Sequence, residues 1–520
     1  MERINPMEQD HCATIPDGKS QPPTIIPDDD PGSPTSRPPA PRGRPPSVFL
    51  FNPFAEGYIA QGKGFAPVKH QAMLAEDLAN LPQFLCQPND IVLLSKRPSS
   101  DFLTSLRQAG FPTPEFVELR DGRIDPADTL CQRKLGRLRP WAWGPDSVKL
   151  LEPLFTQVAC EARIATQYFN DDIARLYSKA WSASFLRKVL ARFRGGDEAS
   201  SPKLDPRGRA ELLGAPAKNR SAQRAAASWL CSELEAGLAV DTLEDALGAI
   251  ADIRCRGHHR VVVKEAHGLA GHNAIRLWEP EILPAQRQWL ARALGKSRQL
   301  VVEPWLEREL DFSVQLEMGP RHLKLCGYTG LINDCRGQFL ANWADADYRR
   351  CLPEKVTALL NGLDGISEGL ERLYREIFTL LEAELRGVGF IGPVSIDALV
   401  YRTPQGDCRL KPVVEINPRY TMGRLTLELM NHACPGRCVL FRLVTRAQAR
   451  TEGFADLSSY ACSLGQRIPL RLEGAALPKI RQGALCLNDP GRAQVCLATF
   501  EVGPMLNLPG SLNGHEQPSF

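Results

Sequence analysis

The chain has 520 residues, 43% of them apolar and 24% charged, with a formal net charge of +3. That length accommodates about three domains, the composition is that of a globular protein, and so small a charge gives no electrostatic case for nucleic acid as the main partner. No run approaches the ~18 consecutive apolar residues of a membrane span, and the polar N-terminus lacks the apolar core of a signal peptide; a cytoplasmic protein with no membrane partner is expected.

Residues 1–46 are dense in proline and bury too little to fold alone, so a disordered tail is expected there, with Pro38-Pro39 as a weak docking element. From Ser47 the pattern turns globular. Strands are expected at Val48–Phe51, Asp90–Ser95 and Phe116–Leu119, and helices at Gln71–Leu81 and Leu103–Gln108. Strands alternating with helices predict a parallel α/β domain, residues 47–175. One long helix is expected over Ile173–Arg194, followed by a polar insertion loop at 195–220. A helix over Thr242–Ile253 with Asp241 or Thr242 as N-cap comes next. Strands follow at Arg260–Lys264, Ala274–Leu277, Leu300–Glu303 and Asp311–Leu316, then a helical stretch from Val356 to Leu385. After about Gly436 the pattern is one of short strands, so 436–520 reads as a β-rich extension.

Fifteen cysteines are scattered with no C-x-x-C pair, the closest spacing being Cys434 to Cys438. That argues against a zinc ribbon or a redox motif and for reduced thiols.

The segment Ser395-Ile396-Asp397-Ala398-Leu399-Val400-Tyr401, the turn Thr403–Asp407 and Pro412-Val413-Val414-Glu415-Ile416-Asn417-Pro418-Arg419 predict a hairpin. With Gly406 at its centre, Asp397 sits opposite Glu415. Facing carboxylates repel, and a cation between them removes the penalty. Glu415, Asn417 and Arg419 share one face by alternation, and carboxylates with an amide oxygen are hard ligands suited to Mg²⁺. The alternative is a solvent-facing acid pair on an edge strand.

Lys264 ends an apolar strand before the loop Glu265-Ala266-His267-Gly268-Leu269-Ala270-Gly271-His272. A lysine there suits phosphate binding, with backbone N–H groups at Gly268 and Gly271; a snorkelling lysine before an ordinary turn is the alternative. Glu303-Pro304-Trp305-Leu306 ends the next strand, where backbone groups and apolar neighbours suit an adenine. Asp311 suits ribose hydroxyls or is simply a loop acid. Lys179 lies at or near a helix start and, alone, reads as a surface lysine.

The ordered series resembles the ATP-grasp superfamily over about residues 176–435. The resemblance implies an α/β and α+β protein: an ATP-grasp fold, two α+β lobes (about 176–302 and 303–435) clasping ATP, preceded by the parallel α/β domain. It implies that Lys179 and Lys264 hold phosphates, Glu303 and Leu306 contact adenine, and Asp311 (or Glu309) the ribose. Asp397, Glu415 and Asn417 would bind Mg²⁺ (or Mn²⁺), and Arg419 would approach the transferred phosphate. Arg424 would clamp a carboxylate or is a surface arginine. The implied reaction joins a small-molecule carboxylate and an amine. The rivals are phosphorylation without ligation, a non-catalytic nucleotide-binding scaffold, and an adaptor acting through the tail. Three departures stand out: the insertion between the two lysines, a loop after Lys264 without a dense glycine run, and the long Asp397-to-Glu415 turn. The sequence Val394-Ser395-Ile396 before Asp397 lacks the arginine typical of D-alanine ligases, which argues against that substrate class.

Two motifs mislead. Gly387-Val388-Gly389-Phe390-Ile391-Gly392 fits G-x-G-x-x-G, but follows a helix and precedes a strand, the reverse of the dinucleotide-binding order. His258, His259, His267 and His272 with Cys255 fit no standard zinc spacing.

Overall fold

The computed structural model describes residues 43–158, 165–195, 229–268, 273–334, 337–361, 366–474 and 477–504. The expected tail (save its last residues), residues 196–220 of the expected insertion, and Gly271 and His272 lie outside them. Three sheets organise the described residues.

The first is parallel, with β1 (Val48–Leu50), β2 (Ile91–Leu94), β3 (Glu115–Glu118) and β4 (Leu138–Pro140) in the order β3-β2-β1-β4. β1 and β2 are buried along their whole length, as their continuous apolar runs require in a parallel sheet covered on both faces. The helix Ser100–Gln108 crosses from β2 to β3. Ser99 caps it by accepting from the Phe102 N–H, and its face of Phe102, Leu103 and Leu106 is buried.

The second sheet is antiparallel. It contains β5 (Leu238–Val240), β6 (Val261–Glu265), β7 (Ala274–Leu277) and β8 (Leu300–Pro304) in the order β5-β8-β6-β7. Helices Leu243–Cys255 and Pro284–Ser297 share one apolar core with it. Thr242 is the N-cap of the first, accepting from the Asp245 N–H.

The third sheet has nine antiparallel strands: β9 (Glu307–Met318), β10 (Leu323–Asn333), β11 (Phe339–Ala344), β12 (Gly392–Arg402), β13 (Cys408–Asn417), β14 (Cys438–Thr445), β15 (Arg471–Glu473), β16 (Lys479–Cys486) and β17 (Cys496–Gly503). Their order is β13-β12-β9-β10-β11-β14-β17-β16-β15, so the strands after residue 436 extend the same sheet that carries the hairpin. The helix Ile366–Gly387 packs on it through Leu373, Ile377, Leu381 and Leu385, one stripe at four-residue spacing. The turn from this helix to β12 is the Gly387–Gly392 segment, with Gly389 at φ +69° and Gly392 at φ +146°. A parallel α/β unit is thus followed by two antiparallel sheets packed with helices, the α/β and α+β make-up expected from the sequence.

One expectation needs correction. The single helix over 173–194 is two, Asp171–Leu176 and Lys179–Gly195. The Lys179 N–H leaves the helical ladder and donates to the Ala266 carbonyl at 2.8 Å. Tyr177 is held in the break, its hydroxyl donating to the carbonyls of Trp143 (2.8 Å) and Pro418 (3.0 Å). Both helices bury apolar residues, so periodicity runs through a break that only tertiary partners create.

Candidate functional site

Asp397 faces Glu415 across the β12–β13 ladder. The route to that register differs from the simple hairpin. In the turn, the Thr403 N–H donates to Asp407 O (2.8 Å) and the Gly406 N–H to Thr403 O (2.9 Å), with Gly406 at φ +95°. The nearest pairs, Arg402–Cys408 to Leu399–Lys411, centre on Gln405 rather than Gly406. From Leu399 to Asp397 β12 advances two residues while β13 advances four, from Lys411 to Glu415. This irregularity spans Pro412, which has no N–H to give the ladder, and it brings the two acids opposite each other.

The electrostatic problem of the facing acids is met by neighbouring side chains. The Ser313 hydroxyl and the Asn417 amide (3.0 Å) donate to the two oxygens of Asp397. Burial, then the charge of Glu415, pushes the Asp397 carboxyl up to about 6. Glu415 goes the other way. Burial raises it, but Lys179 Nζ at 2.6 Å, together with Lys264 and Arg419, holds it below the usual carboxylate range. Lys179 Nζ also donates to the Gly268 carbonyl at 2.7 Å. So the first lysine and the loop glycine, both buried, form one cluster with the half-buried acid pair.

The raised Asp397 value has a testable sign. A carboxyl that holds its proton more tightly when folded contributes stability that is complete below its unfolded value and is lost as pH rises through about 6. In metal-free protein, Asp397→Asn should therefore gain on the native chain as pH rises from about 4 to 7, by up to about 3 kcal/mol. Denaturant unfolding of both proteins at several pH values checks this; a pH-independent difference would remove Asp397 as the titrating group.

The second lysine and the expected adenine-contacting acid also meet. Lys264 pairs with Glu303 on the adjacent strand, and Lys411 Nζ lies 2.7 Å from the other Glu303 oxygen. Glu303 is buried, and although burial alone raises it, the two ammonium groups hold it far below the usual carboxylate range. Lys179, Lys264, Glu303 and Lys411 line one pocket, walled by Gly237, Val301, Val413 and Val414. A Cβ on Gly237 would come within 2.5 Å of Val301 Cγ1, so the wall needs glycine there. Three lysines thus stand against Glu303, Glu415 and Asp397.

Leu306 is buried in the large core just beyond β8. Asp311 accepts from Arg308 and Asn333, both at 3.1 Å. Glu309 pairs with Arg402 at 2.6 Å. Arg419 donates through Nε to Glu56 Oε1 at 2.8 Å, tying the end of β13 to the N-terminal part of the chain. The Tyr420 N–H donates to the Trp141 carbonyl beside it. Arg424 stands in a different group: it pairs with Glu317 (3.0 Å) and Glu428 (3.3 Å), and Arg139 from β4 takes the other Glu317 oxygen at 3.1 Å. Arg139, Glu317 and Tyr420 line a second pocket, where β4 meets the large sheet.

Sequence reasoning missed Lys411, Ser313 and Glu56. Lys411 had a signal, since a lysine in the apolar run Leu410-Lys411-Pro412-Val413-Val414 must find a buried partner. Ser313 and Glu56 had none: each lies far along the chain from the acid or arginine it touches. Among the described residues no disulfide is formed, and no helix is long and apolar enough to cross a membrane.

No protein-family profile matches the chain, and no curated protein matches it. Solved structures with a similar arrangement include an N5-carboxyaminoimidazole synthetase from Staphylococcus aureus complexed with ADP, at 11% identity and TM-score 0.41, covering 87% of this chain and 92% of that one. A biotin carboxylase–ATP complex from Campylobacter jejuni matches at 11% identity and TM-score 0.43, covering 88% and 87%. A carboxyaminoimidazole ribonucleotide synthase from Aspergillus clavatus complexed with ATP matches at 10% identity and TM-score 0.38, covering 89% and 94%. Likeness at this level specifies neither substrate nor reaction.

Proposed function

We propose that the chain is an ATP-dependent carboxylate–amine ligase of the ATP-grasp type, acting through an acyl-phosphate with release of ADP and phosphate. The observation that carries this reading is the cluster in which the half-buried Asp397 and Glu415 face each other and the buried Lys179 closes on Glu415. The donor set fits a hard divalent cation, Mg²⁺ or Mn²⁺: two carboxylates, with the Asn417 amide nitrogen already used on Asp397 and its oxygen left as the ligand atom. When bound, such an ion neutralises the charge that develops on transferred phosphate oxygens.

The remaining roles belong to the chain's own residues. Lys179 exchanges Glu415 for a phosphate oxygen as the carboxylate takes up the cation. Lys264 turns from Glu303 to a phosphate oxygen while Lys411 stays paired with Glu303, and Leu306 contacts the adenine. Asp311 takes the ribose end. Gly268, whose carbonyl holds Lys179 Nζ, stands at the phosphate end of the site. Arg419, oriented by Glu56, steadies the transferred phosphate. The substrate carboxylate oxygen attacks the γ-phosphorus as the bond to ADP breaks. The amine nitrogen then attacks the acyl carbon, its proton passes to the departing phosphate, and an amide remains. Positioning and electrostatics supply the rate. Arg139 and Arg424, both on Glu317, mark the acceptor end and suit an anionic substrate group.

The test is ADP and phosphate release with pooled carboxylates and amines, with hydroxylamine present to trap the acyl-phosphate as a hydroxamate. Hydroxamate formation dependent on ATP and Mg²⁺ is expected. Release of AMP would rule out the acyl-phosphate route, and phosphorylation of an acceptor without amide or hydroxamate would make the chain a phosphotransferase.

A further inference from the structure

Away from the lysine–acid cluster, Asp345, Cys351 and Cys438 offer three ligand atoms within 4.8 Å of one another, with Asp345 and Cys438 buried and Cys351 half-buried. Three elements bring them together. Asp345 directly follows β11, Cys351 ends the short turn Tyr348–Cys351, and Cys438 begins β14, which pairs with β11 through Ala344 and Val439. Hydrogen bonds fix the carboxylate: Oδ1 accepts from the Asp347 N–H at 2.8 Å and Oδ2 from Arg350 at 2.6 Å. Arg350 also reaches the Gly436 carbonyl at 3.3 Å, just before β14.

The spacing is that of tetrahedral edges. Two sulfurs each about 2.3 Å from a zinc ion at a tetrahedral angle lie about 3.8 Å apart, and a sulfur and an oxygen about 3.5 Å apart. Cys351 Sγ lies 3.9 Å from Cys438 Sγ and 3.7 Å from Asp345 Oδ2. A disulfide needs the sulfurs at about 2.05 Å, so the thiols would have to close by almost half their separation. Charge agrees with a divalent ion. Two thiolates and one carboxylate carry three negative charges, which a divalent ion and Arg350 together cancel. An outer partner on the ligating carboxylate is the usual support of a metal ligand, and thiolates select soft or borderline ions over Mg²⁺.

We propose that Asp345, Cys351 and Cys438 bind a thiophilic divalent ion of the zinc class, with solvent in the fourth position and Arg350 orienting the carboxylate. Each thiol gives up its proton on binding, so two protons are released per ion. The ion clips the turn after β11 to the first residue of β14, the seam between the hairpin half of the large sheet and its C-terminal strands. The site is independent of the nucleotide reading, which uses oxygen ligands only.

The full chain, reduced and stripped with a chelator, is titrated with Co²⁺ under anaerobic conditions. One equivalent should bring up thiolate-to-cobalt charge-transfer absorption in the near ultraviolet with strong tetrahedral bands in the visible, and Zn²⁺ should bleach both. Oxygen ligation at Asp397 and Glu415 gives no thiolate band, so the two sites are read separately. Cys351→Ser, at the half-buried ligand, should abolish the band in a folded protein. Asp345→Asn should keep the fold and weaken Co²⁺ by about tenfold or more. A reduced chain that shows no thiolate band overturns the proposal, as does a band that survives Cys351→Ser. A protein whose mass shows the two thiols oxidised to a disulfide, and whose reduction restores no Co²⁺ binding, overturns it equally.

Discussion

Glu415→Gln should lower Mg·ATP turnover by on the order of 10³-fold and destabilise the fold, whereas Asp397→Asn should lose the same activity and stabilise the metal-free fold. The two acids face each other on adjacent strands, so a role in cation binding alone would make the two variants behave alike. They differ because Lys179 chooses between them. Glu415 is the ion-pair partner of Lys179 at 2.6 Å, and a glutamine there leaves the buried ammonium on the Gly268 carbonyl without its ion pair. Breaking one side of a buried pair costs about 3–5 kcal/mol. Asp397 has no such partner; it accepts from Ser313 and Asn417 and its charge is a liability until a cation arrives. Urea unfolding without metal separates the two variants. Lys179→Met alone should also destabilise, since it removes the ammonium paired with Glu415, and the double variant Lys179→Met/Glu415→Gln should recover much of the loss. Mg²⁺ should raise the melting temperature of the native chain and of neither acid variant. Full turnover in either acid variant, or equal stability changes in the two, would refute the division of roles.

The same residues show what a sequence discloses and what it hides. The Asp397–Glu415 pairing was legible because side-chain alternation and a central glycine define a register. Its irregularity at Pro412–Val414 was not, because two opposite deviations cancel at the acids. Lys179 was legible only by its place in an ordered series, since nothing local marks a lysine after a helix break that depends on the Ala266 carbonyl. The parallel sheet was readable from its fully apolar strands. After residue 436 a strand was readable near Ala484–Leu487, but the helices Arg446–Thr451 and Leu457–Arg467 were not foreseen, nor the continuation of the hairpin sheet, which depends on edge pairing that carries no local pattern. Glu56 on Arg419 is a contact between distant segments that no spacing rule reaches.

Glu303→Gln should be the most destabilising single change at the site, by about 3–5 kcal/mol, and should cost more than loss of either lysine it holds. One buried carboxylate neutralises two ammonium groups, half-buried Lys264 on one oxygen and buried Lys411 on the other. Removing it leaves two like charges close together with no counterion, a penalty of both desolvation and repulsion. Removing one lysine leaves a simple pair. Lys411→Met should therefore fold with a modest loss and partly rescue Glu303→Gln in the double variant, because the remaining Lys264 reaches solvent more readily than Lys411, with side-chain exposures of 20% against 4%. The pH dependence follows in sign. Glu303 is held far below the ordinary carboxylate range, so its contribution is present above that range and is lost as pH falls beneath it; Glu303→Gln should flatten the acid limb of the stability profile. Nucleotide adds a second readout. ATP phosphates supply the anion that the two lysines lack in Glu303→Gln, so saturating ATP should raise the melting temperature of that variant more than that of the native chain. An equal or smaller shift would mean that Lys264 and Lys411 do not face the phosphates, and would leave Glu303 as a structural counterion alone.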